Sequence, residues 1–108
     1  MLEVTFYRDA LKRRSAILAQ GHAESARHGE DLVCAAVSAI LQAARLGLEE
    51  HARLKLRVVQ RPGSLRLTWP ARARSDAAVA AILATAELSI ARIAKQYPKH
   101  VRFRRATG

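Results

Sequence analysis

The order of alternating and helical segments is the feature that most constrains the fold of this chain. Residues 2–8 alternate apolar and polar side chains with a period of two, and after a polar turn residues 15–19 can form the returning strand of a hairpin. The arrangement recurs at 53–58 and 65–69, where an Arg-Pro-Gly-Ser turn separates two alternating runs. Two hairpins in one short chain predict a largely antiparallel sheet.

Each predicted hairpin is followed by a segment in which apolar residues recur at helical spacing. The first segment covers residues 31–47, with Asp31 as the expected N-cap and Gly47 as the expected stop. It is apolar nearly all round, which predicts a buried helix. The second covers 75–96, and a short strand at 100–105 follows.

The predicted order is therefore β-β-α-β-β-α-β. Hairpins pair antiparallel, and helices cover the apolar face of the sheet they follow, so the fold class is α+β. We expect a two-layer sandwich with a mostly antiparallel sheet and both helices on one face. A length of 108 residues suits one domain, residues 1–108.

Composition excludes several classes of protein. The only cysteine, Cys34, rules out an intramolecular disulfide and makes a zinc finger implausible, and no cofactor or metal is expected. No apolar run in the sequence approaches the roughly 20 residues that a membrane helix needs. The first ten residues lack the pattern of a signal peptide. We therefore expect a cytoplasmic protein that does not contact membranes.

Charge is divided unevenly along the chain. Residues 1–50 hold 6 basic and 7 acidic side chains, whereas residues 51–108 hold 13 basic and 2 acidic ones. The open face of the predicted sheet would carry Arg53, Lys55, Arg57, Arg66, Arg102 and Arg104. Such a face indicates an acidic partner, ribosomal RNA or the ribosome first, although a merely solvated surface has the same composition.

Cys34 is the obvious candidate for chemistry. In the predicted helix it lies three residues after the cap, where unpaired N–H groups and the helix dipole favour a thiolate. A lone cysteine between apolar neighbours is also commonly a small buried hydrophobe. Position alone therefore leaves both interpretations open.

The segment 21–31 is glycine-rich and lacks bulky side chains, which predicts an exposed loop. Folded back over the helix, it would bring His22 to the thiol as a general base, with Gly21 supplying backbone freedom. His28 is a second possible partner, and both histidines are equally compatible with a solvated surface.

Two polar residues near Cys34 are candidates for a supporting role. Ser38 follows Cys34 by one helical turn, so it could line a pocket or bond back to a helix carbonyl. Asp31 could orient the imidazole of His22, or simply cap the helix.

The same residues carry a resemblance to a known family. Gly21-His22-Ala23, then Gly29, Asp31 and the run 33–39 (VCAAVSA), resemble the GHA and G-x-D-[IV]-V-C-A-A-V-S-A elements of the bacterial ribosomal-processing cysteine proteases, the Prp family. The two-part motif is highly specific, and a weaker likeness covers most of the chain.

The resemblance implies a cysteine endopeptidase with Cys34 as nucleophile and His22 as base. It further implies a small homodimeric protein with a mobile histidine loop. The implied substrate is large-subunit ribosomal protein twenty-seven, whose short N-terminal extension the family removes by cutting after an aromatic pair. The alternative is a non-catalytic module that binds the ribosome or RNA through the basic sheet face, and a redox sensor built on Cys34 is a third possibility.

Overall fold

A computed structural model describes the backbone of residues 1–21 and 28–108 and the side chains of residues 1–21 and 32–108. The predicted order of elements is confirmed. The elements are β1 (Leu2–Arg8), β2 (Arg14–Gln20), α1 (His28–Leu46), a π-helical turn (Gly47–His51), β3 (Arg57–Arg61), β4 (Ser64–Thr68), a 3-10 turn (Ala71–Ala73), α2 (Ala77–Gln96) and β5 (Val101–Thr107).

The five strands form one sheet in the order β3-β4-β2-β1-β5. Pairing is antiparallel within the β1–β2 and β3–β4 hairpins and between β2 and β4, and β5 runs parallel to β1. A parallel pair needs a crossover connection, and α2 lies in the crossover that precedes β5. The prediction of a mostly antiparallel sheet in an α+β sandwich is confirmed.

The core lies between one face of the sheet and the two helices. The strands contribute the alternate residues that face inward, and each helix contributes one apolar stripe. Its largest fully buried side chains include Leu2, Val4, Phe6, Ile17, Leu67, Val37, Leu48, Val79, Leu83, Ile90 and Val101. Strands with apolar residues at every second position and helices with one apolar stripe explain this arrangement.

Helix α1 differs from its prediction at both ends and in its burial. It begins at His28, so Asp31 lies inside the helix and is not its N-cap. Residues 28–31 carry no apolar residue at helical spacing, so the sequence pattern does not reveal this turn. The helix is also not buried all round, because Leu32 and Leu46 are 62% and 60% exposed. Alanines fill much of the same outward face.

Gly47 was expected to end α1, but the helical chain continues through it as a π-helical turn to His51. A Cβ atom at Gly47 would lie 3.3 Å from Cδ1 of Ile82 in α2. The glycine therefore permits close approach of the two helices, and it does not act as a C-terminal cap.

Strand β3 begins four residues later than the alternating pattern suggests. Arg53 has φ 58°, a left-handed conformation that interrupts extended backbone, and Leu54 N–H bonds to the carbonyl of Leu48. Arg53 and Lys55 therefore lie outside the sheet, contrary to prediction. Arg57 is the first residue of the strand.

Two segments meet the length and hydropathy of membrane spans, contrary to the expectation from sequence. They are Leu32–His51 and Ala77–Gln96, each 20 residues long. Alanine, rather than bulky aliphatic residues, supplies much of this hydropathy. Both helices pack on the sheet, as core helices of a two-layer sandwich do, so the measure is weak evidence of a membrane location.

Candidate active site

Cys34 lies on α1 and is half-buried, with its side chain packed against the edge of the hydrophobic core. Val33 and Val37, which flank it on the helix, are buried and hold this part of α1 on the sheet. The thiol therefore occupies a position that packing determines, and part of it stays exposed. Partial exposure is what a nucleophilic cysteine needs.

The true start of α1 changes the electrostatic argument for Cys34. Counted from His28, the cysteine is the seventh helical residue and lies in the second turn. The field of a helix terminus falls off within about one turn, so it stabilises a thiolate here less than the sequence prediction assumed. A thiolate at Cys34 would therefore need a neighbouring cation more than the field of the helix.

A groove of about 730 Å³ runs between α1 and the β3–β4 hairpin. Its helical wall comprises Ser38, Leu41, Gln42, Arg45, Leu46 and Glu49, and its opposite wall is the hairpin tip, residues 60–65. Ser38 is one helical turn from Cys34, so the groove approaches the thiol along the same side of α1. The mixture of aliphatic and hydrogen-bonding groups suits an extended peptide.

The side chain of Ser38 lies in this groove, as one of its predicted roles requires. Its hydroxyl accepts a hydrogen bond of 3.5 Å from Nε2 of Gln42. Further along the same wall, Arg45 Nε donates to Glu49 Oε1 at 3.2 Å. The helical wall thus presents polar groups that a peptide backbone can use.

Gly21 ends β2 beside the groove and has a defined structural role. Its φ is 91°, and a Cβ atom at this position would overlap the carbonyl oxygen of Met1. Its N–H donates to the carbonyl of Gly63 at the hairpin tip, at 2.9 Å. Only glycine combines that φ with that closeness, so the backbone freedom expected here is used to turn the chain beside the groove.

The other predicted members of the site lie outside the described residues. His22 immediately follows Gly21 and falls in the segment 22–27, of which nothing is described. The side chains of His28 and Asp31 are likewise outside the description, although both residues belong to α1. Ser38 lines the groove, Gly21 bonds to Gly63 in the opposite wall, and Cys34 lies one helical turn from Ser38. The role of His22 stays a prediction.

A buried ionic cluster at the opposite end of β1 was not predicted. Glu87 of α2 is 2% exposed and accepts hydrogen bonds from three arginines, Arg8, Arg14 and Arg105, at 3.0–3.2 Å. Burial raises the pKa of the Glu87 carboxyl, but Arg105 and Arg14, with the charge of Arg8, lower it below 4.5 overall. The sequence does contain a signal for this cluster, which is an acidic residue within the apolar stripe of a core helix.

A second carboxylate organises the β1–β2 turn. Asp9 accepts hydrogen bonds from the backbone N–H groups of Leu11 and Arg13 and from the side chains of Arg13 and Arg74. Burial raises the pKa of Asp9, but these donors, led by the Arg13 N–H, outweigh it and lower the pKa from 3.8 to about 2. Both clusters are structural and lie away from Cys34.

No group of three or more potential metal ligands occurs within the part of the chain that is described. The half-buried Cys34 lies one helical turn from Ser38, which lines an open groove of a size that suits a peptide. The profile of the family described as cysteine protease Prp matches residues 1–102. The chain therefore belongs to the Prp cysteine protease family.

Solved structures agree with this fold. SMU.848 from Streptococcus mutans has 25% identity and a TM-score of 0.90, covering 100% of this chain and 99% of that one. The ribosomal processing protease Prp from S. aureus, in complex with a substrate peptide, has 19% identity and a TM-score of 0.86, covering 97% of this chain and 99% of that one. The same protease with a covalently linked product peptide has 20% identity and a TM-score of 0.84. Comparison with curated protein sequences found no significant match.

Proposed function

We propose that the protein is a cysteine endopeptidase that uses Cys34 as nucleophile and His22 as general base. The observation that carries this proposal is a half-buried cysteine, one helical turn from a peptide-sized groove, in a chain of the Prp family. Gly21, which directly precedes His22 in the chain, bonds through its N–H to Gly63 at the hairpin wall of the groove.

The reaction would proceed through an acyl-enzyme. His22 removes the proton from Cys34, and Sγ attacks the scissile carbonyl carbon to form a tetrahedral oxyanion. Collapse breaks the C–N bond while His22 gives its proton to the leaving amine. Water, deprotonated by His22, then attacks the thioester and regenerates the thiol. No other protein group is assigned a covalent role.

Stabilisation of the oxyanion needs N–H donors near Cys34. The sequence prediction placed the unpaired donors of the helix start at the thiol, but the first four N–H groups of α1 belong to residues 28–31. Those donors lie about one turn before Cys34. They would reach the oxyanion only if the peptide carbonyl leans towards the helix start.

We infer that the substrate is the N-terminal extension of large-subunit ribosomal protein twenty-seven, cut after an aromatic pair. The family resemblance carries this inference, and the similarity to the ribosomal processing protease of S. aureus supports it. The groove offers Leu41, Leu46 and Leu65 as apolar contacts for large side chains. The groove is thus compatible with aromatic residues near the scissile bond.

Cleavage of a synthetic peptide with that extension, followed by mass spectrometry, tests the proposal. Wild type is expected to give two fragments, whereas Cys34→Ala and His22→Ala lose at least about a hundredfold in rate. His51→Ala is the matched control, because His51 is exposed at the end of the π-helical turn. Unchanged cleavage by Cys34→Ala would exclude this mechanism, and no cleavage by wild type would favour the non-catalytic RNA-binding alternative.

We also propose that the protein is a homodimer that buries the outward face of α1. That face carries Leu32 and Leu46, both more than half exposed, together with exposed alanines at 35, 36, 39 and 43. An apolar strip along the length of one helix commonly marks an interface. Sedimentation equilibrium of wild type should give a dimer mass, and Leu32→Glu, which leaves the groove residues unchanged, should give a monomer. A monomer mass for wild type, measured at a protein concentration about 100-fold above that of the cleavage assay, would refute the proposal.

A further inference from the structure

One face of the sheet is not covered by helices, and arginines lie along both borders of that face. Strand pairing aligns Arg66, Leu18, Thr5 and Arg104 in one row across β4, β2, β1 and β5. Arg57 of β3 and Arg102 of β5 lie in the adjacent rows on the same face, since Thr68 pairs with Arg57 and Glu3 with Arg102. We call this surface, defined by Arg57, Arg66, Arg102 and Arg104, the open face.

These four arginines are exposed, and little charge opposes them. Arg102 and Arg104 lie 4.0 and 3.6 Å from the Glu3 carboxylate, and their side chains are 64% and 58% exposed. Exposed ion pairs of this kind are weak. Glu3 therefore offsets one positive charge and does not engage both guanidinium groups fully. The four arginines and Glu3 together therefore carry a net charge of about +3 at neutral pH. Arg61, which strand pairing places in the row of Glu3 and Arg102, adds a further positive charge at the β3 edge.

The centre of the open face is neutral and holds an aromatic ring. Leu18 is partly exposed between the two arginine borders, and its small neighbours Thr5 and Ala16 are only 5% and 4% exposed. Tyr7, also partly exposed, lies one row further along β1. The Arg66 guanidinium carbon is 5.8 Å from the centroid of the Tyr7 ring, which is a cation–π contact. At a strand spacing of about 4.8 Å, Arg66 and Arg104 are about 14 Å apart across this strip.

From this arrangement we propose that the open face binds single-stranded RNA. All four basic residues are arginine, whose planar guanidinium matches phosphate oxygens in pairs. A sheet with a tyrosine between basic borders allows phosphates to contact the arginines while bases lie over the neutral strip. Binding here is separate from the groove of the proposed peptidase, which opens between α1 and the β3–β4 hairpin.

Fluorescence anisotropy with a labelled 20-nucleotide oligouridylate, titrated at several salt concentrations, tests the proposal. Four phosphate contacts predict that log Kd rises with log salt at a slope of about 3. The double variant Arg66→Gln/Arg104→Gln should halve that slope and weaken binding at least tenfold at low salt. Arg57→Gln/Arg102→Gln should behave alike, which guards against misfolding of one variant.

The matched control is Arg92→Gln/Lys95→Gln. Both residues are exposed on α2, in the helical layer, and the double variant removes the same total charge. Its binding should stay within about twofold of wild type. Equal losses in the control, or no wild-type binding at 50 mM salt, would overturn the proposal. Competition by poly-glutamate at the same charge concentration as RNA would also overturn it, and would assign the face to acidic protein segments. Peptide cleavage, measured in parallel, separates this proposal from the peptidase.

Discussion

The N–H of Gly21 donates a 2.9 Å hydrogen bond to the carbonyl oxygen of Gly63. One glycine ends β2, and the other turns the β3–β4 hairpin. The bond connects Gly21, where the chain leaves the sheet before His22, to the hairpin tip. That tip forms one wall of the groove. Gly21, the residue directly before the proposed base His22, is therefore held at the hairpin wall of the groove.

Replacing Gly21 by alanine should destabilise the protein more than the same change at Gly63. Both glycines have positive φ, 91° and 75°, but a Cβ atom meets the Met1 carbonyl at Gly21 and nothing within 4 Å at Gly63. We expect a loss of about 1 kcal/mol for Gly63→Ala and about 3 kcal/mol or more for Gly21→Ala. Thermal unfolding followed by circular dichroism measures both, and equal losses would show that the overlap relaxes without cost.

His22→Ala should move the alkylation of Cys34 by iodoacetamide to higher pH. The thiolate is the reactive form, and the position of Cys34 in the second turn of α1 leaves most of its stabilisation to a cationic partner. Rates measured by mass spectrometry between pH 5 and about 9 should give a profile like that of a simple thiol in the variant. The control His51→Ala should keep the wild-type profile. Identical profiles for wild type and His22→Ala would contradict the proposed dyad.

Glu87→Gln should be strongly destabilising. The carboxylate is buried and joins β1, β2, β5 and α2 through Arg8, Arg14 and Arg105, so neutralising it leaves three converging cations without a counter-charge. We expect a loss of about 2–4 kcal/mol in the free energy of unfolding, measured by urea denaturation. The comparison variant Glu3→Gln removes a half-exposed partner of Arg104 and should cost less than about 1 kcal/mol. Similar costs at both sites would mean that burial of Glu87 adds nothing.

Asp9 should make stability depend on pH in the acid range. Its folded-state pKa of about 2 lies below its ordinary 3.8. The stabilisation is therefore complete above about pH 5 and is lost as the pH falls through 3.8 towards 2. The melting temperatures of wild type and Asp9→Asn should differ at pH 6 and converge near pH 2. A constant difference over this range would show that the charge of Asp9 is not involved.

Much of the fold was predictable because half-buried strands reveal themselves by alternation. Phe6 and Leu67 occupy the expected inward positions, and Val101 with Phe103 faces opposite to Arg102 and Arg104, as predicted. Predictions failed where local polar sequence hides structure. The first turn of α1 has no apolar residue, and the left-handed Arg53 breaks an otherwise strand-like alternation.

The candidate site was predictable in part. The motif identified Cys34, Ser38 and Gly21. Ser38 lines the groove, Gly21 bonds to Gly63 in its opposite wall, and Cys34 lies one helical turn from Ser38. The groove itself was not predictable, because its walls come from residues 38–49 and 60–65, which no local pattern connects. Glu87 was missed for a similar reason, since its three arginine partners lie 18 to 79 residues away in sequence.

The parallel pairing of β1 with β5 has a consequence for biosynthesis. β1 is translated first among the strands, but its neighbour β5 emerges last, after both helices. Until then, the nascent chain presents β1 as an unprotected edge with a row of unsatisfied backbone groups. Closing contacts across nearly the whole chain length is entropically slow, so the protein should depend on chaperone protection during synthesis. Premature termination before Val101 would leave an aggregation-prone fragment, even though every residue of the proposed site had been made.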